Sequence, residues 1–308
     1  MATGILKIAT CQFAVGKDIR RNARQIWEFL RRARKAKADI VHFSECALSG
    51  YVGTDFPSFA GFDWRLLREE TEKIMALAGR LGLWVVLGST HELTPDRDIR
   101  GRVQPNKPHN SLYLISPQAC PFGGLRASSE QSRRGKIVDR YDKRFCTKAD
   151  LRRLTPGDHF VYFTINKVKC SLLICFDLRF PEIYRELYKQ KVNCIFQSFY
   201  NARQKGASVH THIMRQTMQC RAAENHFWVS MANSSGYYSP YPSCFIQPDG
   251  RIARQIKANR PGMMVNTVDL SRKFYDPMAD FRDMVIAGAR SNQLKPITDP
   301  RLRNTTSL

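Results

Sequence analysis

Residues 173–182 read Leu-Ile-Cys-Phe-Asp-Leu-Arg-Phe-Pro-Glu, and this stretch decides how the chain around it folds. The largely apolar run Lys169–Phe176 predicts a buried strand that carries Cys175 near its end. Pro181 is favoured at the first position of a helix, so Pro181–Lys189 is predicted to be helical. In open α/β sheets, ligands bind beyond the carboxyl ends of strands, and Cys175 stands at such an end.

The same alternation of strands and helices runs through both halves of the chain. Each half is predicted to contain strand, helix, strand, helix and strand, followed by further strands. The order predicts an α/β fold in which two sheets face each other and helices cover the outer faces, a four-layer α-β-β-α sandwich. The predicted strands are Ile5–Phe13, Asp39–Phe43, Leu83–Gly88, Ser111–Ile115, Lys136–Tyr141, Val161–Ile165, Lys169–Phe176, Val192–Phe199, Phe227–Ala232, Ser243–Gln247, Arg251–Gln255 and Met263–Val268, and the predicted helices are Ile19–Ala33, Trp64–Leu81, Pro181–Lys189 and Ala207–Asn225.

Three segments fall outside these elements. Thr94–Pro108 and Pro117–Gly135 are polar and rich in turn residues, which predicts two long surface loops. We expect residues 1–290 to form one catalytic domain. The tail at 291–308 lacks periodicity, and we expect it to be disordered or packed on a partner subunit.

Composition limits the class of protein. The chain has 308 residues, a net charge of +22 and nine cysteines without a CxxC pair. No segment predicts an export signal or a membrane span, so we expect a cytoplasmic protein with reduced thiols and no structural metal. The basic residues are spread over the whole chain, which favours a solvated surface over a nucleic-acid site.

Three reactive side chains follow predicted strands: Glu45, Lys143 and Cys175. Each has an ordinary explanation when taken alone, because buried cysteines are usually inert and charged residues after strands are usually solvated. The predicted fold, however, brings the three strand ends to one side of the molecule. Together they form a candidate catalytic set.

The segments around these three residues resemble the motifs of the nitrilase-type carbon–nitrogen hydrolases. The resemblance covers roughly Leu6 to Leu270. It implies an α-β-β-α sandwich, no cofactor, and homodimers or higher oligomers that associate across the outer helices. The matching segments are His42–Tyr51, Asp139–Lys143 and Leu173–Glu182, with lesser matches at Asn110-Ser111, Arg221–Asn225, Ser243 and Pro248-Asp249-Gly250.

The resemblance also implies a mechanism. Cys175 is the nucleophile, Glu45 takes and returns its proton, and a thioester intermediate forms. Lys143 is expected to lower the pKa of the Cys175 thiol, which titrates near ~8.5 when unperturbed. Lys143 and the backbone N–H of Phe176 are the expected donors to the oxyanion. A small amide or N-carbamoyl compound is the expected substrate, with release of ammonia.

Several assignments stay open at this stage. Arg179, Tyr51 and Asn201 are candidate substrate-binding residues, and Arg179 has the alternative of a structural ion pair. The family's second glutamate is missing between Lys143 and Cys175, so Asp150 or Asp158 is a possible replacement. Two functions compete with hydrolysis: a basic nucleic-acid-binding protein and a catalytically inactive scaffold of the same fold.

Overall fold

The computed structural model describes residues 4–94, 99–102, 107–117, 135–292 and 300–303. The chain divides into two compact units, Met1–Lys273 and Phe274–Leu308. The first unit contains the candidate catalytic residues. The predicted loops Thr94–Pro108 and Pro117–Gly135 lie largely outside the described residues, as does most of the predicted tail.

The first sheet has six strands in the order β12-β1-β2-β3-β4-β5. β1, β2, β3 and β5 run in the same direction, whereas β12 is antiparallel to β1 and β4 is antiparallel to both of its neighbours. β2 is buried at every position, as expected for a strand that is covered on both faces. The strands are β1 (Ile5–Gln12), β2 (Ile40–His42), β3 (Trp84–His91), β4 (His109–Ser116), β5 (Lys136–Asp142) and β12 (Gly262–Asp269).

The second sheet repeats this plan in the order β11-β10-β9-β8-β7-β6. Its three central strands, β7, β8 and β9, are parallel, and β6, β10 and β11 are antiparallel to their neighbours. The strands are β6 (Tyr162–Ile165), β7 (Val168–Ile174), β8 (Cys194–Ser198), β9 (Trp228–Ala232), β10 (Cys244–Ile246) and β11 (Ile252–Gln255).

One strand from the second half of the sequence joins the sheet formed by the first half. β12 follows the second sheet in the chain but pairs with β1, with Ile5 opposite Asp269 and Gln12 opposite Gly262. The order of elements predicted this strand but not its sheet, because pairing across some 250 residues leaves no local signal. The four-layer α/β sandwich is otherwise the predicted architecture, and the structure confirms it.

Helices cover the outer faces where the periodicity placed them. Ile26 and Leu30 of α1 (Ile19–Lys35) are buried, whereas its arginines lie mostly on the exposed face. Asp18 caps this helix by accepting a hydrogen bond from the Arg21 N–H. The other helices of the first unit are α2 (Trp64–Leu81), α3 (Pro181–Lys189) and α4 (Val209–Asn225), and α5 (Ala279–Ile286) lies in the second unit.

Polar side chains join the two sheets beneath the site. His42 of β2 places Nδ1 2.8 Å from Ser230 Oγ and Nε2 2.9 Å from Ser198 Oγ, both on the facing sheet. Thr10 also contacts Ser230, with 2.7 Å between the hydroxyls. Burial lowers the pKa of His42 to about 3, so its ring is neutral and both nitrogens serve this network. β2 and β8, which lead into the site, are therefore held in register with each other.

Candidate active site

Cys175 stands at a sharp turn. β7 ends at Ile174, two residues earlier than the predicted strand Lys169–Phe176, and a short 3-10 helix (Cys175–Arg179) follows. Cys175 has φ of 40°, a left-handed conformation that costs free energy for any residue except glycine. The strained turn ends the strand and places the sulfur beyond the sheet.

Asp177 holds this turn in place. Its buried carboxylate accepts hydrogen bonds from the Ile174 N–H at 2.9 Å, the Phe145 N–H at 3.0 Å and the Tyr141 hydroxyl at 2.7 Å. These partners lie before the nucleophile, after Lys143 and on β5, so one side chain ties three parts of the site together. Asp177 belongs to the motif around Cys175, but no pattern in the sequence indicated this role.

Glu45 enters the site from the loop after β2. Its Oε1 accepts hydrogen bonds from Lys143 Nζ at 3.0 Å and Asn110 Nδ2 at 2.7 Å, and its Oε2 accepts from the Tyr200 N–H at 2.7 Å. The loop lies directly over Gly88, where an added Cβ would stand 2.0 Å from the Ser44 carbonyl oxygen. Only glycine leaves room for this loop.

Lys143 follows β5 and is buried with three oxygen atoms around it. Nζ lies 3.0 Å from Glu45 Oε1, 3.1 Å from Asp150 Oδ2 and 3.4 Å from the Tyr51 hydroxyl. Its backbone is held on both sides, since its N–H donates to the Asn110 carbonyl and its carbonyl accepts from the Gly157 N–H. The ammonium group is thereby fixed in position.

The structure distinguishes the two candidates for the missing second acid. Asp150 contacts Lys143 and accepts hydrogen bonds from the Tyr51 hydroxyl at 2.7 Å and the Thr147 N–H at 3.0 Å. The Asp158 side chain is 98% exposed and pairs with His159 instead. The short 3-10 helix Asp150–Arg152 brings the shorter aspartate side chain close enough to replace a glutamate.

The other predicted site residues occupy different positions. The Asn201 amide donates to the Cys175 sulfur over 3.7 Å, which places it beside the nucleophile. The Tyr51 hydroxyl is engaged by Asp150 and Lys143, so this side chain supports the acid–lysine pair. The Arg179 guanidinium donates to His210 Nδ1 at 3.1 Å rather than pairing with a described acidic residue, and its contact with a substrate carboxylate stays a prediction. Phe176 follows Cys175 in the turn, as predicted.

The family model described as carbon-nitrogen hydrolase matches residues 7–273. This chain belongs to the carbon–nitrogen hydrolase family.

Relatives of this carbon–nitrogen hydrolase are named as omega-amidases and as a nitrilase fusion protein. The omega-amidase NIT2 of Mus musculus is 25% identical over 254 residues, covering 80% of this chain and 82% of the relative. The nitrilase and fragile histidine triad fusion protein NitFhit of Caenorhabditis elegans is 25% identical over 278 residues, covering 88% and 58%. The family is that of the carbon–nitrogen hydrolases, and further relatives of the chain are also named omega-amidases.

The fold of this hydrolase has solved counterparts. A mutant of the Nesterenkonia AN1 amidase from the nitrilase superfamily superposes with a TM-score of 0.67 at 18% identity, covering 92% of this chain and 97% of that one. Another mutant of that amidase, with the acetamide moiety of fluoroacetamide covalently added at its active-site cysteine, has a TM-score of 0.68 at 18% identity, covering 91% and 95%.

The surroundings of the Cys175 thiol raise its pKa. Burial raises the pKa of the thiol well above its ordinary value, and the negative charge of Glu45 adds to the effect. Lys143 acts in the opposite direction, as predicted, but burial and Glu45 outweigh it. The predicted effect of Lys143 is thus present, but it does not decide the net pKa of the thiol.

The lysine of the site keeps its charge. Burial alone would lower the pKa of Lys143, but Glu45 and the other groups around Nζ raise it well above its ordinary value. The Lys143 cation in turn holds the pKa of Asp150 below its ordinary value, against the effect of burial. Lys143 is thus a fixed positive charge beside the nucleophile, able to stabilise a developing oxyanion but not to give up a proton.

The hydrolase shows neither a metal cluster nor a membrane span within its described residues. No group of three or more His, Cys, Asp and Glu side chains in those ranges could hold a metal ion. None of the helices in the same ranges combines the length and hydropathy needed to cross a bilayer. Every cysteine that the structure describes is a free thiol.

Proposed function

We propose that this enzyme hydrolyses the amide bond of a small primary amide or N-carbamoyl compound through a thioester on Cys175, with release of ammonia. The observation that supports this best is the position of Glu45. Its carboxylate contacts the Lys143 ammonium at 3.0 Å, and its negative charge acts on the Cys175 thiol. A base, a fixed cation and a nucleophile close together are the arrangement that acyl transfer requires.

The first half of the reaction forms the thioester. The Cys175 sulfur attacks the amide carbonyl carbon while its proton moves to Glu45, because the thiol does not ionise by itself. Negative charge develops on the carbonyl oxygen, where the Lys143 ammonium and the Phe176 N–H are the proposed donors. Glu45 then returns the proton to the departing nitrogen, the carbon–nitrogen bond breaks, and ammonia leaves.

The second half releases the acid. Glu45 takes a proton from water, the resulting hydroxide attacks the thioester carbonyl, and the sulfur–carbon bond breaks. The sulfur recovers its proton from Glu45, which restores the starting state. We propose that Asp150 keeps Lys143 charged and oriented through both halves, in the place of the family's second glutamate.

Substrate recognition is part of the proposal. Asn201 lies beside the sulfur and can hydrogen-bond to a bound amide. Arg179 is a candidate ligand for a substrate carboxylate, because the neutral His210 ring that it now contacts is a weaker acceptor than a carboxylate. Since several relatives are named omega-amidases, amides whose far end carries a carboxylate belong among the candidate substrates. Oligomerisation across the outer helices remains a prediction.

Ammonia release from a panel of amides tests the function. The panel contains simple primary amides, terminal amides of dicarboxylic acids, N-carbamoyl amino acids and nitriles. We expect turnover of at least one of the first three classes, its loss in Cys175→Ala, and a thioester mass on Cys175 after rapid quenching. Cys220→Ala, which removes an exposed thiol, is the matched control and should keep full activity. Undiminished turnover in Cys175→Ala would overturn the proposal.

A further inference from the structure

Tyr241 carries a buried hydroxyl group without a partner. Its side chain is 1% exposed, and the hydroxyl makes no hydrogen bond to any residue that the structure describes. Two other tyrosines are as fully buried, and both are paired: Tyr184 donates to Gln197 at 2.8 Å and Tyr141 donates to Asp177 at 2.7 Å. A buried polar group left unpaired in a native protein calls for an explanation.

The position of Tyr241 links it to the catalytic loop. Its ring packs edge-to-face on Phe199, with 5.6 Å between the ring centroids. The Phe199 carbonyl accepts the Glu45 N–H at 3.2 Å, so Tyr241 packs on the segment that orients the base. The Tyr241 carbonyl is held in turn by Asn233 Nδ2 at 2.9 Å. The phenol is therefore fixed before any substrate arrives.

The charged and reactive groups around the phenol are those of the active site. Burial raises the pKa of Tyr241 well above its ordinary value, Cys175 and Glu45 add to the rise, and Arg179 acts against it. The hydroxyl therefore keeps its proton and can donate it in a hydrogen bond. The Asn201 side chain donates to the Cys175 sulfur, and its backbone N–H donates to Asn233 Oδ1. The same Asn233 side chain holds the Tyr241 carbonyl, so Asn233 connects Tyr241 with the residue beside the nucleophile.

We propose that the Tyr241 hydroxyl donates a hydrogen bond to an acceptor on the acyl part of the substrate, and that it selects amides carrying such an acceptor. The proposal rests on the hydrolase function above. The Lys143 ammonium and the Phe176 N–H are the proposed donors to the carbonyl oxygen. The Tyr241 hydroxyl is therefore available to donate to an acceptor on the acyl group. A site whose buried donor stays unpaired with the wrong substrate discriminates against that substrate. The acceptor can be a hydroxyl, ether, carbonyl or carboxylate oxygen close to the reacting carbonyl.

A pair of isosteric amides tests the selection. Glycolamide and propionamide differ by one hydroxyl group in place of a methyl group. We expect the wild-type enzyme to favour glycolamide in kcat/KM, and we expect Tyr241→Phe to lose about 10- to 100-fold on glycolamide with little change on propionamide. The same comparison applies to any acceptor-bearing amide that the enzyme turns over and its alkyl isostere.

Thermal unfolding of the free variants supplies a readout that needs no substrate. Tyr241→Phe removes an unpaired buried hydroxyl, so its Tm should equal or exceed that of the wild type. Tyr184→Phe is the matched control: it removes a paired hydroxyl, so its Tm should fall while its preference between the two amides stays unchanged.

The outcomes separate the two proposals. A lowered Tm in Tyr241→Phe would show that the hydroxyl is bonded within the free protein, and equal losses on both amides would show that it serves the carbonyl instead. An unchanged preference would show that it touches no substrate. Each of these results overturns the Tyr241 proposal while leaving the hydrolase intact. If the hydrolase proposal itself is wrong, the wild-type enzyme releases no ammonia from any member of the panel.

Discussion

The carboxyl group of Asp177 allows a quantitative prediction about stability and pH. It is 0% exposed, and burial raises its pKa to about 6 although three hydrogen bonds act in the opposite direction. The folded protein therefore binds the proton of Asp177 more tightly than the unfolded chain does, where the carboxyl titrates near 3.8. The stability that this preference contributes is fully present below about pH 4 and is lost as the pH rises through 6.

The size of the effect follows from the two pKa values. The complete loss is about 3 kcal/mol, and the part that falls between pH 5 and pH 7.5 is about 1.5 kcal/mol. Asp177→Asn does not titrate. The free-energy difference between wild type and Asp177→Asn should therefore shrink by about 1.5 kcal/mol over this range, because only the wild type loses stability from this site.

The variant also has a cost that does not depend on pH. The Ile174 N–H and the Tyr141 hydroxyl donate to Oδ2, whereas the Phe145 N–H donates to Oδ1. An asparagine amide presents only one oxygen, so one backbone N–H loses its acceptor in either orientation while the Tyr141 hydroxyl can rotate. We expect this to destabilise Asp177→Asn by about 1–3 kcal/mol at pH 5.

Urea unfolding of wild type and variant at pH 5, 6 and 7.5 measures both quantities. Titrations of other groups, including the inter-sheet His42, cancel in the difference between the two proteins. Asp158→Asn changes an exposed carboxyl and should show no pH-dependent difference of this size. A difference between wild type and Asp177→Asn that stays constant from pH 5 to pH 7.5 would refute the reasoning, because Asp177 would then not titrate in this window.

Two further predictions concern the geometry of the catalytic groups. In Gly88→Ala the new Cβ would meet the Ser44 carbonyl oxygen at 2.0 Å, so the Glu45 loop must move and kcat/KM should fall about 10²-fold. The control is Gly16→Ala, whose Cβ meets only the end of the Arg203 side chain at 3.4 Å. This variant should stay near wild type in the same amidase assay. Asp150→Asn removes a counter-charge of Lys143 and should lower kcat about 10- to 100-fold with correct folding by circular dichroism, whereas Asp158→Asn should change nothing. Equal activity of the two aspartate variants would contradict the role of Asp150.

The sequence predicted the fold and the three central residues because both leave local signals. Alternating and helical periodicities mark β1 to β11 and α1 to α4 within one or two residues in most cases. Glu45, Lys143 and Cys175 each follow a strand, and parallel strands end at the same edge of a sheet. Asp177 left no such signal, because two of its three partners lie 32 and 36 residues away. The same reason hid the pairing of β12 with β1.

The raised pKa of the Cys175 thiol has a different physical origin. The sequence shows which charges neighbour Cys175, and a lysine does lower the pKa of a nearby thiol. It does not show how much water surrounds the group, and here burial is the largest influence on the Cys175 thiol. Lys143 is moreover shared between Glu45 and Asp150, which leaves less of its field for the sulfur. A thiol that stays protonated until Glu45 accepts its proton is protected from oxidation between turnovers, since thiolates are the species that oxidise readily. On the proposed mechanism, Glu45 activates the nucleophile by accepting the Cys175 proton as the thiol attacks the amide, and Lys143 acts chiefly on the charge that forms after attack.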